Sequence, residues 1–314
     1  MRMNTLQPKS TLSILLPLVV GMAAISCSPI LVRYSSAPVS VQGLYRMLFT
    51  FLLMLPFGWK HRHAFASITL RDWVKLTVAG FFLALHFLLW MASLSYTSIA
   101  SSTILLTLEP VFVAIGAYLV FKDRLRRSAV IGMSVSIAGA ILVSSGDFGL
   151  SQSAFFGDTL SLLGTVAVAV NMILAKQLMA RIPSYVYSLI VFGITALCFA
   201  VYNVFAGIPM MGYESREWGL FLLLAIIPTV FGHMIFNWLL QSIKATTISM
   251  AVLAEPIGAS LLGLLLFGEL ITGFQLIGGV FMIAGFILYL KSEERPSAAK
   301  QGDAALDTTS GAVS

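Results

Sequence analysis

The chain has 314 residues, of which 58% are hydrophobic and 10% charged, with a formal net charge of +6 and a mean hydropathy of +0.94. Soluble domains carry about 25% charged residues, so a water-soluble globule is excluded and an integral membrane protein is indicated. A spanning helix takes roughly 20 apolar residues, so the length is used up by spans and no large soluble domain is left. Cys27 and Cys198 both lie in apolar runs, where a disulfide is not expected.

The first span is expected at 13–32. Ala24-Ile25-Ser26-Cys27 faintly resembles a lipoprotein cleavage box, but the apolar run continues through Val32, which suits a retained span. The others are expected at 41–58, 73–95, 98–121, 128–144, 155–176, 185–206, 217–241, 246–267 and 273–290. The fold class that follows is an all-α membrane protein with ten transmembrane helices joined by short connections. Residues 1–12 form a short tail, 145–154 a connecting loop, and 291–314 a polar, disordered tail.

Charge placement tests this count. With both termini in the cytoplasm, only Arg33, Arg46 and Arg216 of the 19 Lys and Arg residues fall on the outer side or in the outer halves of spans. Cytoplasmic loops of membrane proteins carry an excess of Lys and Arg. The basic charge therefore reports topology in an inner (plasma) membrane, not a nucleic-acid partner.

Residues 105–112 read LLTLEPVF and residues 252–259 read VLAEPIGA. The two Glu-Pro pairs stand 146 residues apart, and at that offset Phe121 falls on Phe267, Gly132 on Gly278 and Gly139 on Gly285. Near the start of each half the offset is 143, with Gly21 on Gly164 and Arg33 on Lys176. Each half, 13–144 and 155–290, holds five spans. Because five is odd, the second half enters the membrane from the opposite side. The result is two inverted-topology repeats, an arrangement that secondary transporters use for alternating access. Glu109 and Glu255 fall at mid-span on helices of opposite direction, so they are expected to face one central space.

The segments LHFLLWMASLSYTSIASS, LLTLEPVFVAIGAYLVFKDRL and IGMSVSIAGAILV resemble one half-repeat of the EamA family in the drug/metabolite transporter superfamily. PTVFGHMIFNWLLQSIKATT, LAEPIGASLLGLLLFGELIT and IGGVFMIAGFILYL resemble the second. The resemblance implies export or exchange of small metabolites, often amino acids or related solutes. It names no solute.

Glu109 and Glu255 lead the candidate residues. An ionised carboxylate at the bilayer centre costs about 2.5–3.5 kcal/mol on insertion scales, so it persists only if protonated, paired or facing water. Such a group serves proton coupling or cation contact; otherwise it is a neutral hydrogen bonder to a neighbouring helix. Pro110 and Pro256 remove their own N–H and crowd the carbonyls of Leu106 and Val252, which predicts helix kinks. His86 and His233 are proton-relay candidates or satisfied neutral hydrogen bonders. Trp90 and Trp238, with Tyr45 and Tyr96, form an aromatic wall or interfacial anchors. Asn237 and Asn171 bond either solute or helix neighbours. Arg46, whose counterpart is Leu189, snorkels outward or pairs with a carboxylate, from Glu109 or from a solute. The hydroxyls Ser98, Ser101, Ser102, Thr103 and Thr107, like Thr246, Thr247 and Ser249, serve close helix packing or solute contact.

The expected partners are a small-molecule solute, the lipid bilayer and a proton or counter-solute; the oligomeric state is left open. No cofactor or metal is expected. A phosphate-binding P-loop, an HExxH pair and a GxSxG elbow are all missing from the sequence, which argues against an ATP-driven pump and a membrane enzyme. A sensor would need a signalling domain. A nucleotide-sugar or sugar-phosphate exchanger would need several mid-span cations, and Arg46 stands alone.

Overall fold

Hydrocarbon offers no hydrogen bonds, so a spanning backbone must satisfy its N–H and C=O groups within its own segment. The computed structural model describes residues 11–97, 102, 105–144, 152–267 and 273–294, and among these it is helical without a strand. The helices are α1 (Thr11–Ser26), α2 (Ser28–Tyr34), α3 (Val39–Met54), α4 (Arg62–Ala66), α5 (Leu70–Ser93), α6 (Glu109–Phe121), α7 (Arg127–Ser144), α8 (Gln152–Leu178) and α9 (Ser184–Phe205). They continue with α10 (Ser215–Leu224), a π-helical stretch (Ala225–Met234), α11 (Ile235–Leu240), α12 (Ala245–Val252), α13 (Glu255–Phe267) and α14 (Gly273–Glu294).

Six helical segments of the described residues are long and apolar enough to cross a membrane: Ser13–Tyr34, Val39–Gly58, Leu70–Ser93, Phe155–Leu178, Ser184–Phe205 and Ser215–Leu240. The expected spans 128–144 and 273–290 correspond to shorter apolar helices, Arg127–Leu142 and Leu276–Ser292. The two Glu-Pro spans are not continuous helices. A turn at Leu253 and Ala254 divides α12 from α13, and a turn at Thr107 and Leu108 precedes α6. Residues 98–101, 103 and 104, at the start of the fourth expected span, lie outside the described residues.

The breaks follow from proline chemistry. Pro110 and Pro256 are the second residues of α6 and α13, where a missing N–H costs nothing because first-turn donors have no helical acceptor. The expected kinks thus take the form of a new helix, with each Glu as its first residue. A carboxylate there also meets the positive end of the helix dipole. Pro29 acts likewise, as the second residue of α2 after the break at Cys27.

Helices α7 and α14 pair along most of their length. A methyl added at Gly139 would meet the Gly278 carbonyl oxygen at 2.6 Å, and one added at Gly132 would meet the Gly285 carbonyl oxygen at 2.8 Å. Ser136 lies between them and donates to the Met282 carbonyl at 3.0 Å. Small residues let membrane helices approach this closely. Helix α5 packs on α8, and α1 on the π-helical stretch. The buried apolar side chains form one large core and a smaller cluster between α7, α12 and α14. Outside, Phe205, Leu265 and Phe155 are 75% or more exposed, a surface made for lipid.

The ends of the bundle are pinned by polar contacts. Asp72 closes a capping box with Thr69 at the start of α5 and pairs with Arg181. Lys176 donates to the Leu240 and Ile243 carbonyls at 2.6 and 2.8 Å, filling acceptors that the end of α11 leaves open. At the opposite end the buried Glu217 accepts from the Ser35 hydroxyl and the Ser36 N–H, which holds the turn between α2 and α3.

Candidate functional site

The helix breaks bring both glutamates inward. Glu109 and Glu255, at the starts of α6 and α13, line one central cavity and are buried. His86 and Trp90 reach it from α5, Asn171 from α8, His233 from the π-helical stretch and Asn237 from α11. Apolar walls come from Ile25, Phe87, Val168, Met172 and Phe236. The space open to water-sized molecules is about 70 Å³, room for several waters. A metabolite needs the helices to part.

Each polar group on the wall is held or left open in a way the local structure explains. Gly164 on α8 lets α5 approach, and its carbonyl lies 2.9 Å from His86 Nδ1. A carbonyl only accepts, so Nδ1 carries the proton. The His86 ring lies parallel to Trp90, with centroids 6.3 Å apart, and His233 sets Phe87 edge-on at 5.2 Å. Asn237 donates to Ser188 at 3.0 Å, and Asn171 to Tyr187 and to the Ala79 carbonyl. Two buried atoms on the wall have no hydrogen-bond partner: Glu109 Oε1 and Trp90 Nε1. Unpaired buried polar atoms are uncommon because each costs about 1–3 kcal/mol. Here both belong to residues that line the cavity.

Arg46 does not snorkel. It is fully buried on α3, just behind the cavity wall. Its Nε donates to Thr229 at 2.8 Å and its Nη1 to Ser28 at 3.1 Å. The guanidinium lies 4.2 Å from the centre of the Phe87 ring, and Nη2 has no partner. Pro228 prepares this seat. Its missing N–H frees the Leu224 carbonyl, the Thr229 hydroxyl donates to it at 2.8 Å, and the hydroxyl oxygen then accepts from Arg46. Among the described residues the one ion pair within 4 Å is Asp72 with Arg181, so Arg46 has no carboxylate in direct contact.

Other candidates lie elsewhere. Trp238 is 39% exposed and off the cavity wall. Tyr96 lines a separate crevice of about 330 Å³ with Ser40, Leu88, Phe156 and Tyr202. Tyr45 packs with Trp218 and Phe221 and donates to the Met210 carbonyl at 2.6 Å. Ser102 is tied to Ser93 and Ser161 at 2.7 and 3.3 Å, which is helix packing rather than cavity lining. Ser98, Ser101 and Thr103 fall outside the described residues. Ser28, Phe87 and Thr229 escape sequence reasoning. One signal was available for Ser28, which falls on Asn171 at the offset of 143.

A helical bundle with an apolar exterior and a buried, acid-lined cavity defines a multi-pass membrane protein. The chain belongs to the EamA-like transporter family, whose model matches residues 12–145 and 155–291. An Archaeoglobus fulgidus protein named an uncharacterized transporter is 24% identical over 85% of this chain and 95% of its own. A Salmonella typhimurium protein named a probable amino-acid metabolite efflux pump is 26% identical over 56% of this chain and 61% of its own. A solved structure, 16% identical, aligns with a TM-score of 0.75 over 91% of this chain and 99% of its own. That likeness concerns the fold alone. Family membership implies a small-molecule solute and a lipid environment.

Proposed function

We propose that the protein is a secondary transporter that exports or exchanges a small polar or amphipathic metabolite, amino-acid-like or cationic, by alternating access. A proton or counter-solute is the coupled species, and the setting is an inner (plasma) membrane with both termini in the cytoplasm. The observation that carries this reading is the pair of buried carboxyls from different halves of the chain on one cavity wall. Proteins keep ionisable groups at such depth for solute or ion pathways. The protein is not an enzyme in this reading. The printed name of the Salmonella relative supports outward movement of an amino-acid-like solute.

The architecture belonging to this reading is ten spans in two inverted repeats of five. The two stretches matched by the family model support it. So does the crossing of α7 and α14. At the offset of 146, Gly132 corresponds to Gly278 and Gly139 to Gly285. Gly132 meets Gly285 while Gly139 meets Gly278, the reciprocal pattern of a two-fold axis. In the same register Ser136 meets its own counterpart, Met282.

The test is transport into proteoliposomes of the full chain, with and without an imposed pH gradient, over a panel of amino acids and organic cations. At least one solute should move, and faster with the gradient. Glu109→Gln and Glu255→Gln should each abolish the gradient's effect. Gradient-driven transport left intact in both variants overturns the coupling assignment.

A further inference from the structure

Lys176 joins two helices that both carry cavity wall. It stands near the end of α8, one turn beyond Met172, and its half-buried ammonium donates to the Leu240 and Ile243 carbonyls at 2.6 and 2.8 Å. Met172 and Leu240 both line the cavity. We propose that this bridge is a latch that shuts one end of the cavity, and that it is released when Arg33 makes the equivalent bridge at the opposite end. This rests on the two inverted repeats and the alternating access put forward above, and assigns the gates of that cycle to residues.

The correspondence of the halves supplies the second gate. At the offset of 143 Lys176 falls on Arg33, and at the offset of 146 Leu240 and Ile243 fall on Leu94 and Thr97. A cation near the end of α2 and two carbonyls just past α5 thus repeat the plan of α8 and α11. The inversion puts this second set at the opposite membrane face. The chemistry matches as well. Lys and Arg are donors without acceptors, and the last carbonyls of a helix lack partners within it.

The two sets are in different conditions. Lys176 is engaged, whereas Arg33 is exposed and, among the described residues, bonds to neither the Leu94 nor the Thr97 carbonyl. The end of α5 is held by α8 instead. The Thr97 hydroxyl donates to Asp158 at 2.9 Å, and a methyl at Gly157 would meet the Thr97 backbone nitrogen at 2.9 Å. Two halves of one plan, one bridged and one open, describe a single state of a rocking cycle, and exchanging their conformations gives the other. A half-buried ammonium suits the task. Water can replace both carbonyls when the helices part, so the net strength of the bridge is modest and it can break. A static cap on α11 predicts only lost stability when Lys176 is removed. A latch predicts a change of access at one face.

The experiment reads access rather than transport, so it needs no solute and no gradient. Met172→Cys on a Cys27→Ser/Cys198→Ser background places one thiol on the cavity wall of the full chain. A membrane-impermeant methanethiosulfonate is applied to the cytoplasmic face in inside-out vesicles and to the outer face in spheroplasts, and the labelling rate is measured at each. On the proposed topology the Lys176 end is cytoplasmic. Lys176→Met should raise the cytoplasmic rate about tenfold, the weight of one charged hydrogen bond, without raising the outer rate. Arg33→Met should lower the cytoplasmic rate about as much, because the state open to that face loses its bridge. Arg33 is exposed, so this second variant tests the exchange even if Lys176→Met does not fold. An unchanged cytoplasmic rate in either folded variant overturns the latch. So does a rise at both faces in Lys176→Met, the mark of general loosening, or a rise at the cytoplasmic face in Arg33→Met. Opposite shifts in labelling with no solute moved would sink the proposed transport and keep the latch; intact transport without the shifts would sink the latch alone.

Discussion

Arg46 and Leu189 stand at the same register, 143 residues apart, on the second helix of each half. Both are buried, but their neighbourhoods are unlike. Around Arg46 are the Thr229 and Ser28 hydroxyls and the Phe87 ring. Beside Leu189 the Ser188 hydroxyl is already bonded to Asn237. On the proposed two-repeat plan, a buried cation stands at one of the two matching positions and a leucine at the other. A few side chains without a match at these offsets make the two sides of the cavity chemically different.

The most direct way to break this comparison is to give the second half its own cation. Leu189→Arg buries a guanidinium without a matching carboxylate and should destabilise the folded protein by about 3–5 kcal/mol, read as a large fall in thermal midpoint in detergent. Unchanged stability would mean that the second site is as able to host a charge as the first. The symmetric part can be probed at the α7–α14 crossing. A methyl at Gly285 would lie 2.4 Å from the Ser136 backbone nitrogen, whereas one at Gly219 meets nothing within 4 Å. Gly285→Ala should therefore cost about 3 kcal/mol and Gly219→Ala far less, on the same assay.

A finer cut separates Arg46 from its seat. Thr229→Val removes the acceptor of Arg46 Nε and the donor to the Leu224 carbonyl, and should cost about 2 kcal/mol while leaving Arg46, Glu109 and Glu255 in the chain. A smaller effect sharpens the comparison where α6 ends. Lys122 has φ 60°, a left-handed conformation that costs a side-chain-bearing residue about 1–2 kcal/mol. Its counterpart in sequence is Gly268. Lys122→Gly should raise stability by about 1 kcal/mol, checked by the same thermal midpoint.

What the sequence made legible follows from cost. Glu109, Glu255 and His86 stand out because polar groups are rare at mid-span, and the Glu-Pro pairs stand out because they recur. Helix rotation was not legible. A span that is apolar all round has no stripe to say which face turns inward, so Trp90 on the cavity and Trp238 on the exterior read alike. Thr229 and Ser28 were hidden because hydroxyls are ordinary packing residues in such helices. Only the carbonyl freed by Pro228 and the arrival of Arg46 from another helix give Thr229 its role, and neither is local in sequence. The span ends are affected too: proline chemistry alone predicts bends within helices at Pro110 and Pro256, and both residues mark helix starts.

The glycine crossing of α7 and α14 carries a mechanical consequence. Two backbones in direct touch have no side chains to re-rotamer and no slack to slide through. Any rearrangement that opens the cavity must then leave this point nearly still, with displacement growing along the helices away from it.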